Sequence, residues 1–130
     1  MKDTPYAHLL GRLDSMSNIV SKHVMSQRAG LSRSVFCNWQ KGEAPIVLRW
    51  FELLRRNDID PWSLAPESST FQTLKDKIGS REKVMIAFME ADFHYHTFCR
   101  WETNGDPRHI EAIKRLHQEL KMIEDKYEIA

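Results

Sequence analysis

Two stretches decide how this chain folds: GLSRSVFCNWQKGEAP, residues 30 to 45, and DFHYHTFCRWETNGDP, residues 92 to 107. Both contain Phe-Cys-x-Trp, and both close on a Gly followed within three residues by a Pro. Sliding the sequence by 62 positions lays Phe36 on Phe98, Cys37 on Cys99, Trp39 on Trp101 and Pro45 on Pro107. The apolar positions beyond the proline also agree, Leu48 with Ile110, Phe51 with Ile113 and Leu54 with Leu116. Agreement of apolar period over about twenty positions is what a duplicated helical unit produces, although upstream of residue 30 the correspondence fades.

Outside these stretches the chain also reads as helix, because no run of alternating β-branched residues appears anywhere. An all-α fold is therefore expected. The segment PWSLAPESST, residues 61 to 70, carries two prolines and a Ser/Thr cluster and interrupts the apolar period on either side. It divides the chain into a first unit, residues 1–64, and a second helical unit, 65–130. At 130 residues and 15.3 kDa the chain fits one domain, or two very small ones that share a core.

In the first unit Ser21 is placed to cap a helix running to Ala29, with Val24 and Met25 inward and Ser26 small enough for close contact. Gly30 ends that helix, since glycine accepts the left-handed backbone of a helix C-terminus, and Leu31 then turns into the core. Ser32 caps a second helix over 33–41. Phe36 and Trp39 share one face of it, which leaves Arg33, Ser34, Cys37, Asn38 and Lys41 on the other. Gly42 stops this helix and Pro45 opens the next, whose expected buried stripe is Leu48, Trp50, Phe51 and Leu54.

The string SKHVMSQRAGLSRSVFCNWQKGEAP, followed by an apolar helix and NDIDPWSL, resembles the Cro and phage-repressor family, the lambda repressor-like (XRE-type) helix-turn-helix fold. The resemblance covers residues 9 to 64, with a degenerate second copy over 71–127. Ala29-Gly30-Leu31-Ser32, Phe36, Trp39, Gly42 and Pro45 fall where that family places its turn, core and exit residues. It implies that the second helix of the motif lies in the DNA major groove while the first crosses the backbone. Carried over, Arg33 and Ser34 become base-edge readers, Asn38 reads a base or grips a phosphate, and Cys37 lies on the same face. Lys22, Arg28, Lys41 and Arg49 become phosphate contacts. Ser26 stands where the family usually has Ala.

Charge agrees with this placement. The net charge of the whole chain is only +1, but residues 1–66 carry an excess of three basic groups and residues 67–130 an excess of two acidic ones. No acid occurs between residues 15 and 42. A polyanion partner belongs to the first half.

The second unit reads as a helix around Phe71, Leu74 and Ile78, a break at Gly79-Ser80, a helix over 81–91, a turn at Asp92-Phe93 and a recognition-like helix over 94–103. Its exposed candidates, His94, Tyr95, His96 and Arg100, form either a second DNA surface or a surface for a protein partner. Local acids, Glu102 among them, and the replacement of the turn glycine by Asp92 argue against DNA there. From Pro107 to Tyr127 one long amphipathic helix is expected. In it Ile113, Leu116, Leu120, Ile123 and Tyr127 recur in steps of three and four, a seam suited to a homodimer.

Other chemistries find little to work with. His94, His96 and Cys99, with Cys37 or His109, do not make the paired cluster of a structural zinc site, and His94 and His96 point about 200° apart on a helix. Cys37 and Cys99 occupy equivalent places beside core aromatics, so two buried or half-buried thiols are expected rather than a disulfide. No paired carboxylates, phosphate loop or triad-like grouping suggests an enzyme, and no cofactor or metal is expected. No apolar run reaches the ~18 residues of a membrane span, and MKDTPYAHLL does not read as a signal peptide, so a cytoplasmic protein is expected. The expected function is a dimeric repressor of phage or mobile-element type acting on double-stranded DNA. The competing reading is a protein-interaction module, an antitoxin or an inhibitor of a host protein on the same scaffold.

Overall fold

The computed structural model of the chain describes residues 5–15, 18–19, 21–41 and 45–127, with the backbone alone described at 5–7, 22, 23, 33, 36, 39, 40 and 45. Among these residues there are helices and turns and no strand. The first unit contains α1 (Pro5–Ser15), α2 (Lys22–Arg28), α3 (Arg33–Gln40) and α4 (Pro45–Arg56). A single 3-10 turn, Pro61–Ser63, leads into α5 (Thr70–Ile78), α6 (Arg81–Glu90), α7 (Tyr95–Asn104) and the 19-residue α8 (Arg108–Lys126). The all-α expectation and the long final helix are both met, and each expected boundary falls within a residue or two of the observed one.

Local chemistry accounts for the boundaries. Ser32 Oγ accepts from the Val35 amide at the start of α3, and the Ser69 and Ser80 hydroxyls do the same for Gln72 and Lys83 at the starts of α5 and α6. Asp60 accepts from the Trp62 amide and starts the 3-10 turn. Gly79, at φ +98°, closes α5 by donating to the Lys75 carbonyl. Gly42 and the side chains of Phe36 and Trp39, expected to end α3 and to face inward, lie outside the described residues.

In α4 the buried stripe is Val47, Trp50, Phe51 and Leu54, spaced i, i+3, i+4, i+7, with Leu53 beside it. Leu48 was expected in this stripe and is instead 40% exposed, about 100° round the helix from Val47. Its partner in the 62-residue register, Ile110, is fully buried, so the two exit helices agree at Trp50/Ala112, Phe51/Ile113 and Leu54/Leu116 but not there. Val24, expected inward, is likewise 39% exposed, because α2 turns Met25, Ser26 and Ala29 to the core.

The two units do not stand apart: α8 packs on α1, α2 and α4, and α6 packs on α4, so one continuous apolar cluster runs from Leu9 to Ile123. In the second unit Phe88 is its centre, with the rings of Phe93, Phe98 and Trp101 at 5.2, 5.3 and 5.4 Å.

A buried polar network also crosses between the units. Trp50 Nε1 donates to Thr70 Oγ1 at 2.9 Å, and Thr70 donates from its amide and hydroxyl to the two Asp106 oxygens at 2.8 and 2.6 Å. Lys114 Nζ reaches Asp106 Oδ2 at 2.7 Å and the Ser68 carbonyl at 2.8 Å, with both charged side chains essentially inaccessible. Every buried polar atom named here has a partner, the condition under which an internal ion pair is tolerated. A second tie joins the ends of the fold, where Arg12 of α1 donates through Nε and Nη2 to the Glu124 carboxylate of α8.

This packing corrects the expected dimer seam. Ile113, Leu116, Leu120 and Ile123 are buried inside the chain, and only Tyr127 remains half exposed. The heptad-like spacing is real, but α1, α2 and α4 cover that face and leave it unavailable to a second copy.

Candidate nucleic-acid interface

The turn between α2 and α3 is built by three backbone bonds. Ala29 donates to Met25 at 3.1 Å, Gly30 to Gln27 at 3.0 Å and Leu31 to Ser26 at 2.9 Å, with Gly30 at φ +86°. Sixty-two residues on, Ala91 donates to Ala87 at 3.2 Å, Asp92 to Met89 at 3.1 Å and Phe93 to Phe88 at 3.0 Å, with Asp92 at φ +67°. Asp92 thus takes the left-handed conformation that Gly30 takes, which Asp tolerates better than most residues. The duplicated phrase is a duplicated turn.

Burial repeats in the same register. Ser26 and Phe88, Ala29 and Ala91, and Leu31 and Phe93 are all buried; Val35 with Thr97 and Cys37 with Cys99 are half buried; Ser34 with His96, Asn38 with Arg100 and Lys41 with Thr103 are exposed. Where the first unit buries a serine under its turn the second buries Phe88, so the same backbone is wrapped around a larger aromatic core.

On α3 the expected readers Ser34 and Asn38 are exposed one turn apart, Lys41 follows on the same face, and Cys37 lies half buried beside them. Both cysteines are free thiols. Arg28 on α2 and Arg49 on α4 are exposed. The side chains of Lys22 and Arg33 lie outside the described residues.

Sequence reading missed two basic residues. Where α2 ends against the start of α8, Arg28, Ala29, Gly30, Arg108, Glu111, Ala112 and Arg115 line a cleft of about 210 Å³. Arg28 of the first unit and Arg108 and Arg115 of α8 thus share one concavity beside the turn, offset by Glu111, which accepts from Arg115 at 3.1 Å. Only the packing of α8 on α2 could reveal this, because the three arginines lie up to 87 positions apart. By contrast Arg55 and Arg56 are held by Glu52, whose carboxyl sits well below the usual range because of the Arg55 hydrogen bond first and Arg56 after it.

On α7 the expected candidates His94, Tyr95, His96 and Arg100 are all exposed. Glu102, read as an acid on that face, is engaged elsewhere. It accepts from the Arg81 guanidinium, at 2.9 Å for Nη2, and this bond lowers its pKa. Arg81 also lies 5.1 Å over the Phe98 ring.

Among the described residues no group of three or more His, Cys, Asp and Glu side chains converges as a metal site would require, and no helix is long and apolar enough to cross a membrane. Compared with known proteins, the chain matches no family model, no curated protein and no solved structure.

Proposed function

We propose that the chain is a sequence-specific DNA-binding regulator that inserts α3 into the major groove, as the resemblance to Cro and the phage repressors implies. Within that class it is a repressor of phage or mobile-element type, which acts by occupying an operator. The observation that carries the reading is the exposure of Ser34 and Asn38 on α3 and of Lys41 just after it, together with a cleft at the α2–α3 turn lined by Arg28, Arg108 and Arg115. The hydroxyl and amide groups can pair with base edges, and the guanidinium groups can pair with phosphates. Arg33, at the first position of α3, is assigned the guanine contact, while Lys22 and Arg49 extend the phosphate contacts.

The test is selection of genomic fragments with the purified protein, followed by binding to the enriched sequence at two salt concentrations. Enrichment of one sequence with a steep salt slope supports the reading. Equal, weak binding to every fragment overturns it.

One feature favours the protein-interaction alternative: Ile86 and Met89, three apart on α6, are each about half exposed beside a groove that contains Ile78 and Ala87. A stoichiometric partner lost on Ile86→Glu, with DNA binding retained, would assign that surface.

A further inference from the structure

We propose that α7 is a second DNA-contacting helix, so that a single chain engages both halves of a two-part site. The inference rests on the reading of α3 above and extends it to the duplicated unit. Three observations carry it.

The first is the register. The turn before α7 repeats the three backbone bonds and the left-handed residue of the turn before α3, and three exposed positions that follow it match three described exposed positions of the first unit. His96 stands at the place of Ser34, Arg100 at that of Asn38 and Thr103 at that of Lys41. All three offer hydrogen-bond donors toward solvent, and Arg100 can bind a guanine edge in bidentate fashion.

The second is the fate of the acid that argued against DNA. Glu102 is drawn to Arg81 at the start of α6, and no other acid lies between residues 93 and 105. His96, Arg100 and Thr103, at the places of Ser34, Asn38 and Lys41, form the contacting set.

The third is the burial of Ile113, Leu116, Leu120 and Ile123 within the chain. Proteins that read two-part operators usually bring the second reader by dimerising. Here the helix face suited to that is already occupied, and the chain carries its own second reader.

The experiment uses the DNA sequence enriched by the wild-type protein. Footprinting and the mass of the complex in solution are recorded for wild type, for His96→Ala/Arg100→Ala, for Ser34→Ala/Asn38→Ala, and for Arg100→Lys as a charge-retaining control. The expected result is one chain per DNA and two protected segments. The α7 pair loses one segment and about tenfold or more in affinity, the α3 pair loses the other, and Arg100→Lys keeps both segments. Two chains on each DNA, or an α7 pair whose footprint and affinity equal wild type while the α3 pair loses binding, overturns this inference and leaves the α3 reading intact. Absence of any enriched sequence overturns both.

Discussion

Trp50, in the first unit, donates its indole proton to the hydroxyl of Thr70, in the second, at 2.9 Å, and that hydroxyl in turn donates to Asp106, the partner of buried Lys114. A hydrophobic core holds the two units together, and this chain of donors fixes how they meet. Removing one end of the ion pair should therefore cost more than removing both. Asp106→Leu strands the Lys114 ammonium and is expected to destabilise the fold by about 3–5 kcal/mol, with Asp106→Leu/Lys114→Met costing less than the sum of its single changes. Urea unfolding of the four proteins in the cycle checks this, and strict additivity would remove the pair as a coupled unit.

The two turns make a reciprocal pair of tests. Gly30→Ala meets no atom within 4 Å and is penalised only by its φ of +86°, so a loss of about 1–2 kcal/mol is expected. Asp92→Gly, at φ +67°, should leave stability unchanged or raise it by up to about 1 kcal/mol. The shift of the denaturation midpoint at constant slope measures both, and equal losses would mean the turns are not equivalent.

His117 lies flat on Trp62, with ring centroids 4.4 Å apart and planes 9° from parallel. Burial first, then the Arg12 and Lys121 charges, lower its pKa from 6.5 to about 4. The unfolded chain binds this proton at a higher pH than the folded one, so stability falls as pH drops from about 6.5 toward about 4. Glu124 and Glu102, whose pKa values are lowered from 4.5, keep their contributions above that pH and lose them as pH falls below it, so most of the His117 window lies above theirs. His117→Phe should keep the stacking and flatten the upper window, read as unfolding free energy against pH. An unchanged slope would assign that window to other groups.

For DNA, Lys41→Ala and Arg108→Ala should each weaken binding to all sequences alike and reduce the salt slope by about 0.9. Arg33→Ala and Asn38→Ala should instead relax preference at one base pair while leaving the slope nearly intact. Anisotropy titrations at several salt concentrations, on the enriched sequence and on single-base variants, separate the two classes. An Arg108→Ala protein with an unaltered slope would remove α8 from the interface.

Much of the fold was legible because its punctuation is chemical. Gly30, Ser32, Ser69, Ser80 and Pro45 stop or start helices for reasons written in single residues. The failures share another cause: periodicity tells that a helix has a buried face, but not what buries it. The seam of α8 looked the same for a second copy as for α2 and α4, and Leu48 and Val24 sit one residue from the true stripe. Nothing in the sequence singles out Lys114 and Asp106, because each finds its partners only in three dimensions. The same holds for Arg108 and Arg115, which join Arg28 only once α8 has docked.

That docking sets an order of events in synthesis. As the chain leaves the ribosome, α2, α3 and α4 emerge long before residues 108–123, which cover the apolar faces of α2 and α4. A nascent first unit therefore waits, partly uncovered, until the last helix arrives, and a message cut short before α8 yields a fragment whose apolar faces stay open to proteases.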